Sequence, residues 1–415
     1  MDSSSQQHSP FAAVKINEFR NLLFGRFSFV MALRMMSTLV GWWIYNLTNL
    51  PFAIGLIGLS EVVPAISLAL YAGHVIDISE KRKLLLTGIA LYCLAACCLF
   101  FLSTSYTSQH LSNHLIAIWI YVIVFCTGIV RAFTGPIFNV LLAYIVPKST
   151  IQNATTWNQG TYLSASVSGH AMGGFLIAVF GNSGTLIVII SLIIISFFFL
   201  FQLNKKPALN KSDEKETWDS IKEGIGFVFK TKELLGAISL DLFAVLFGGA
   251  VAMVPVYARD ILKVGVQGFG LLNAASDIGS ICIVILLTFF PLRHKQGKRL
   301  FLAVGGFGIC IITFALSKSF VLSFVALMVS GMLDGISVVI RGTIMQLLTP
   351  DNMRGRVMSV NSMFINSSNE LGQFESGVAA KLMGVIPSVV FGGSMTLLVV
   401  ITTWLKAPSL RKMQY

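Results

Sequence analysis

Long apolar runs broken by short polar joints repeat along this chain from residue 20 to residue 405. A helix that crosses a bilayer needs about 20 mostly apolar residues. Twelve runs meet that need: 20–45, 51–76, 84–104, 114–146, 154–180, 184–203, 234–257, 267–291, 300–317, 320–348, 357–384 and 386–405. The fourth and tenth are long, so they are expected to tilt or to project beyond the bilayer. The pattern predicts an all-α membrane protein with 12 transmembrane helices.

One polar joint outlasts the others. NKKPALNKSDEKETWDS, residues 204–220, separates six runs from six. In the following IKEGIGFVFK, residues 221–230, Ile221, Ile225, Phe227 and Val228 alternate with charge. That spacing predicts a short amphipathic helix on the cytoplasmic membrane surface. The expected organisation is a tail (1–19), a first six-helix half (20–203), a linker with the amphipathic helix (204–232), a second six-helix half (233–406) and a second tail (407–415).

The halves resemble each other. GIVRAFTGPIFNVLLAYIVP, residues 128–147, and GMLDGISVVIRGTIMQLLTP, residues 331–350, both open on glycine and close on proline, at an offset of 203. The same offset pairs Asn158 with Asn361, Gly169 with Gly372 and Gly174 with Gly377. Two pseudo-symmetric halves from parallel repeats, joined by a linker, form a transporter architecture.

Composition agrees. The 415 residues are 55% hydrophobic and 12% charged, where a soluble domain carries about 25% charge. The net charge of +12 does not point to nucleic acid, because the basic residues gather in the joints. With the N-terminus inside, inner tails and loops hold 22 of the 30 Lys and Arg, and outer loops hold only Arg259, Lys263 and Lys318. The bias predicts a multi-pass protein of the cell membrane with both termini cytoplasmic. MDSSSQQHSP at the start ends in no cleavage signature, so the first apolar run is read as an anchor. The six cysteines all lie in apolar runs, as small core hydrophobes. No phosphate-cradling GxxxxGK[ST], no HExxH and no catalytic triad is visible. No enzyme activity, no metal and no cofactor is expected.

The joint GHVIDISEKRK, residues 73–83, is unusually charged. Gly73 allows close helix approach. Asp77 can face the N-terminal end of a neighbouring helix, where unpaired amides carry partial positive charge. Lys81 and Arg82 suit the anionic inner leaflet. A contact of this kind stabilises one of two transport states. The stretch resembles the loop between spans two and three of the major facilitator superfamily. Gly73, Asp77, Lys81 and Arg82 match its pattern; Ile78 and Glu80 depart from it. Arg131 and Gly135 are similar to the fourth-span motif, and PDNMRGRV, residues 350–357, to the matching loop of the second half. VPVYARDILKVGVQGFGLLNAA (254–275) and MRGRVMSVNSMFINSSNELGQFESGVAA (353–380) resemble a narrower branch, the enterobactin-exporter-like and macrolide-efflux-like carriers.

That resemblance implies two halves rocking about a central cavity and proton-coupled efflux of an amphipathic small molecule, such as a siderophore or a macrolide. It also implies a cytoplasmic gate of Gly73, Asp77, Lys81, Arg82, Arg354 and Arg356, with span eleven as the neighbour that Asp77 faces. In SASVSGHAMGGFLI, residues 164–177, Gly169, Gly173 and Gly174 match an exporter-associated glycine pattern, with His170 in place of a proline. These glycines are expected to pack span five against span eight, and Gly372 and Gly377 are their repeat partners. Nutrient import and lysophospholipid flipping by the same fold are the alternatives, with a non-transporting sensor or assembly partner as the reading from another class. The expected partners are the small-molecule substrate, protons and membrane lipid, not nucleic acid, and the chain is expected to act as a monomer.

Charges inside spans are costly and default to function. Glu61 leads the proton-coupling candidates, followed by Asp277, Asp241, Asp334 and His170. A carboxylate whose surroundings change between two states can load and release a proton. Arg131 and Arg34 are read as charge partners or substrate contacts, and Glu370 and Glu375 as packing and gating residues.

Overall fold

Every one of the twelve apolar runs is helical in the computed structural model, which describes residues 11–206, 214–290, 295–350 and 353–414. The first six runs lie in α1 (Asn17–Thr48), α2 (Pro51–Ile78), α3 (Lys81–Leu102), α5 (Asn113–Ile145) and α6 (Ile151–Phe201), with a short α4 (Ser105–His110) between α3 and α5. Two runs share α6. They meet at Gly181, whose φ of 66° and ψ of −171° are open to glycine and strained for other residues. One glycine thus replaces the expected loop.

The linker helix is α7 (Glu214–Lys230). The seventh run begins as α8 (Lys232–Phe247) and then loses regularity: a 3₁₀ turn at Gly249–Met253, α9 (Val254–Val256) and a π turn at Tyr257–Ile261. Gly248 and Gly249 weaken the helix, and Pro255 removes a backbone donor. The remaining runs are α10 (Gly265–Phe289), α11 (Gln296–Leu316), α12 (Phe320–Leu348), α13 (Arg354–Met383) and α14 (Val385–Lys406), followed by α15 (Pro408–Lys412). By length and composition, ten helical segments among the described residues can cross a membrane. The twelve runs become ten because α6 carries two and because α13 is too rich in polar residues to qualify. Large apolar side chains such as Phe198, Phe289, Leu302 and Leu405 are exposed, as lipid-facing helices require.

The chain divides into two compact units, one from the residues up to 43 with 63–212, the other from 44–62 with 213 onward. In the first unit α3 packs on α5 and α6. α6 also crosses α1, where a Cβ added at Gly169 would stand 2.6 Å from Arg34 Cβ and 2.7 Å from Met31 O. In the second unit α12 packs on α10 and α11, α14 on α11, and α8 on α13 and α14. There a Cβ added at Gly372 of α13 would stand 2.9 Å from the carbonyl oxygens of Val245 and Leu246 in α8. The repeat-related pair Gly169 and Gly372 therefore does one job twice: each brings the fifth span of its repeat against the first, whereas Gly377 meets Gly55 of α2. Gly169 and Gly173 thus lie against α1. Gly173 would meet Met35 Cα at 3.2 Å.

The amphipathic helix is covered by protein on its apolar side. Val228 packs with Leu234, Ile238, Met345, Val357 and Val360, and Ile225 and Phe227 lean on the same core.

Candidate functional site

Asp334, Ser337 and Arg341 of α12 are spaced three and seven residues apart, which puts them on one helix face. α8 presents Asp241 to that face. Arg341 Nη1 pairs with Asp241 Oδ2, and the two side chains are only 6% and 7% exposed. Arg341 Nε donates to Ser337 Oγ at 3.1 Å. Asp241, Asp334 and Ser337 line a small cavity whose other walls include Ala244, Val245, Leu333 and Phe307. One guanidinium thus pairs with Asp241 while a second carboxylate, Asp334, lines the same apolar-walled cavity. A buried pair is held by geometry as much as by charge, and losing either partner leaves an uncompensated ion.

The first unit carries a second polar group, of opposite sign. Arg26 of α1 donates from Nη1 to Asn158 Oδ1 of α6 and to Asn139 Oδ1 of α5, the latter at 3.4 Å. Asn158 Nδ2 donates to the same Asn139 oxygen at 3.2 Å. The Arg26 guanidinium lies 5.4 Å from the Phe138 ring centroid and 5.6 Å from that of Tyr162. Arg34 is also 5.6 Å from the Tyr162 ring, and its Nη2 donates to the phenol oxygen. Beside it, Thr38 Oγ1 and His170 Nδ1 are 2.8 Å apart. Three helices therefore converge two guanidiniums on one tyrosine.

The joint after α2 is organised by a residue that departs from the expected pattern. Glu80 caps α3, accepting at 2.9 Å from both Arg82 N and Lys83 N, and it also accepts from Lys206 N at 3.2 Å. Lys81 is fully buried, with Nζ donating to Ser79 O at 3.0 Å. Arg82 caps the other end of α6: it donates to Phe201 O and lies 4.8 Å from the Phe201 ring. A cation there complements the helix dipole. The Gly73, Asp77, Arg354 and Arg356 side chains lie outside the described residues.

A further polar set lies within the second unit, where residues 44–62 belong. Tyr45 OH donates to Asp260 Oδ2. Arg259 lies 4.1 Å from the Tyr45 ring centroid and donates to Asn46 Oδ1 at 3.0 Å and to Asn49 Oδ1 at 2.7 Å.

Helix number, the repeated packing and buried charge within spans describe a membrane carrier. The family model described as Major Facilitator Superfamily matches residues 22–373. The chain belongs to the Major Facilitator Superfamily. A curated relative, the uncharacterized MFS-type transporter YfmI of Bacillus subtilis (strain 168), is 22% identical over 335 residues, which are 79% of this chain and 78% of the relative. Among solved structures, a POT family transporter in complex with 5-aminolevulinic acid aligns with a TM-score of 0.74 at 11% identity, over 94% of this chain and 96% of the other. The nucleoside transporter NupG aligns with a TM-score of 0.64 at 15% identity, over 95% and 98% of the two chains. A D-xylose-proton symporter aligns with a TM-score of 0.70 at 12% identity, over 98% and 100%. These structural likenesses establish the fold. The protein is a multi-pass secondary transporter of this superfamily.

In this superfamily member, the predicted proton-coupling residues separate. Asp241, paired with Arg341, and Asp334 line one cavity, and His170 joins Thr38 beside Arg34. Glu61 on α2 and Asp277 on α10 are half-buried, and neither lines the Asp241 cavity. Arg131 is half-buried on α5. Gly174 and Glu370 are buried. Sequence reasoning missed Arg341, Arg26, Tyr162 and Glu80. The three- and seven-residue spacing from Asp334 was the available signal for Arg341.

Proposed function

We propose that this superfamily member is a proton-coupled exporter of an amphipathic small molecule, with the Asp241–Arg341–Asp334 group as its proton site. The observation that carries the proton site is the count of charges: one arginine, held by Asp241, beside a second carboxylate in the same cavity. One cation cannot neutralise both acids, and a proton is the smallest partner that can. A proton on Asp241 frees Arg341 to turn along its own helix face toward Asp334; loss of that proton draws it back. Such a two-position cation is a bistable element on which alternating access can act. The D-xylose-proton symporter of the same fold couples to protons by its name. Outward direction, and a siderophore or macrolide as cargo, rest on the likeness of 254–275 and 353–380 to exporter sequences. Both termini are assigned to the cytoplasm on the Lys and Arg bias.

The test compares culture supernatants by mass spectrometry, from cells with and without the gene, in iron-poor and iron-rich medium, together with macrolide and dye efflux with and without a protonophore. A compound missing outside and accumulating inside the deletion strain supports export. Asp334→Asn should match the deletion while the protein remains expressed; full export by this variant removes Asp334 from the mechanism. Glu61→Gln in the same assay tests the rival carboxylate. Indistinguishable wild-type and deletion cells in both assays overturn the export reading.

The Gly73, Asp77, Arg354 and Arg356 gate belongs to the same proposal. Asp77→Asn should change the labelling of engineered cysteines from the two sides of the membrane. Unchanged labelling on both sides removes the gate.

A further inference from the structure

The first turns of α3 and the last turns of α6 frame an open groove of about 390 Å³ within the first unit. Arg82, Lys83 and Lys205 stand at one end of it. Leu86 and Ala90 continue it along α3, and Phe197 along α6. Arg82, Leu86 and Ala90 follow one helix face at four-residue spacing, about 12 Å of rise from first to last. Phe197 and Phe201 keep the same spacing on α6, with their rings stacked 6.2 Å apart. The groove therefore runs along the helices from a cationic end into an apolar one. Phe201, Phe198 and Ile194 of α6 are exposed, so this is a surface that meets lipid.

Three cations share the polar end with one carboxylate, Glu80. The Glu80 oxygens face the backbone and accept from Arg82 N, Lys83 N and Lys206 N. The neighbouring Lys206 is paired with Glu18 at 2.8 Å. Three cations against one acid leave an excess of two positive charges at this end of the groove. Arg82 is fixed there by α6: it donates to Phe201 O and lies 4.8 Å from the Phe201 ring centroid. Neither partner carries a full charge, so the guanidinium keeps its own. Lys83 and Lys205 are exposed, one on α3 and the other on the chain that leaves α6. Guanidinium and ammonium groups together suit a phosphate, whose oxygens accept from both.

We propose that this groove binds one anionic phospholipid, with its phosphate at Arg82, Lys83 and Lys205 and an acyl chain along Leu86, Ala90 and Phe197. The order of cationic and apolar residues matches an amphiphile lying along the helices, and basic pockets between spans hold anionic headgroups in this way. A water-soluble anion would gain nothing from the apolar length of the groove. The headgroup joins the start of α3 to the chain that leaves α6, where the linker to the second half begins. Its place in the inner leaflet rests on the Lys and Arg bias; cargo, direction and proton coupling do not enter.

The test is native mass spectrometry of the full-length protein in detergent, titrated with phosphatidylglycerol or with phosphatidylcholine of the same acyl chains. The expected result is phosphatidylglycerol bound about tenfold more tightly, as two surplus charges near a headgroup warrant. Arg82→Gln should remove that preference. Lys83→Gln combined with Lys205→Gln should do the same, and it keeps the contact between Arg82 and α6 if Arg82→Gln does not fold. Ala90→Trp fills the apolar length without touching a charge and should also weaken binding. Lys298→Gln combined with Arg299→Gln, two basic residues at the start of α11, should change nothing. Equal binding of the two lipids overturns the proposal. Equal losses from the two double variants also overturn it, because a general basic belt and not this groove would then hold the lipid. If Ala90→Trp binds as the wild type does, or if glycerol 1-phosphate displaces the lipid at equal concentration, the site takes a soluble anion and the phospholipid assignment falls. The Asp334→Asn outcome stands in every case, because no transport is measured.

Discussion

The two units share a repeated sequence and a repeated helix packing, but they have divided the charges between them. Five of the six Asp and Glu inside the spans, at 241, 277, 334, 370 and 375, lie in the second half, and Glu61 of α2 is the sixth. The first unit holds Arg26, Arg34, Arg131 and His170. The repeat offset makes the divergence specific. Arg131 corresponds to Asp334, and Phe138 corresponds to Arg341. In the second unit the guanidinium of Arg341 reaches the first helix of its repeat at Asp241. In the first unit the first helix supplies the guanidinium, and Arg26 lies over the ring of Phe138. The same junction between the first and fourth spans is thus an ion pair in one unit and a cation over an aromatic ring in the other. A duplicated backbone can keep its packing while its polar chemistry inverts, because packing depends on a few glycines and the chemistry on a few charges.

The largest break in this comparison comes from removing the central cation of the second unit. Arg341→Gln leaves Asp241 buried without its partner, and the expected loss is about 3–5 kcal/mol of stability, read as a lower midpoint of thermal unfolding in detergent. Adding Asp241→Asn should restore most of that loss, since two neutral side chains can hydrogen-bond where a lone ion cannot. Arg26→Gln has no acid to strand, so its cost should be smaller, about 1 kcal/mol. Equal losses for the two arginine variants would mean that the units do not differ in the way their charges suggest.

The packing that the units share gives a middle-sized effect. In the second unit a Cβ added at Gly331 of α12 would lie 2.0 Å from Ser276 O of α10, a backbone atom that cannot rotate away. Gly331→Ala should therefore force the helices apart at about 1–3 kcal/mol. Gly372→Ala, whose nearest atoms stand at 2.9 Å, should cost less. The order of the two unfolding midpoints tests whether close backbone approach, and not the glycine pattern itself, decides the penalty.

The twelve spans could be read in the sequence because the bilayer imposes a length and an apolarity that few other structures need. The repeat could be read too, and its glycines turned out to mark equivalent crossings. What could not be read was the partner across the crossing. Gly169 matched an exporter-like pattern, but nothing local to 164–177 encodes its contact with Met31 and Arg34. Charged residues were visible one at a time, but a pair such as Asp241 and Arg341 joins positions 100 residues apart. Glu80 looked like a defect in a loop motif and proved to be the cap of α3. The seventh span read as a continuous helix because its residues are mostly apolar, whereas Gly248, Gly249 and Pro255 act on backbone hydrogen bonds that hydropathy does not register.

The smallest effect has the opposite sign and makes the sharpest control. Gly135 of the first unit lies four residues after Arg131, and a Cβ added there would meet nothing within 4 Å. Its φ is not in the left-handed region, so alanine can adopt the same backbone. If only close approach preserves glycine in these helices, Gly135→Ala should raise stability by about 0.5–1 kcal/mol, the ordinary gain in a helix interior. A raised midpoint with unaltered transport would make Gly135 a tolerant position despite its place in the fourth-span motif. A raised midpoint with slowed transport would separate folding from function, because the added stiffness would then burden a step between transport states while the folded helix gains.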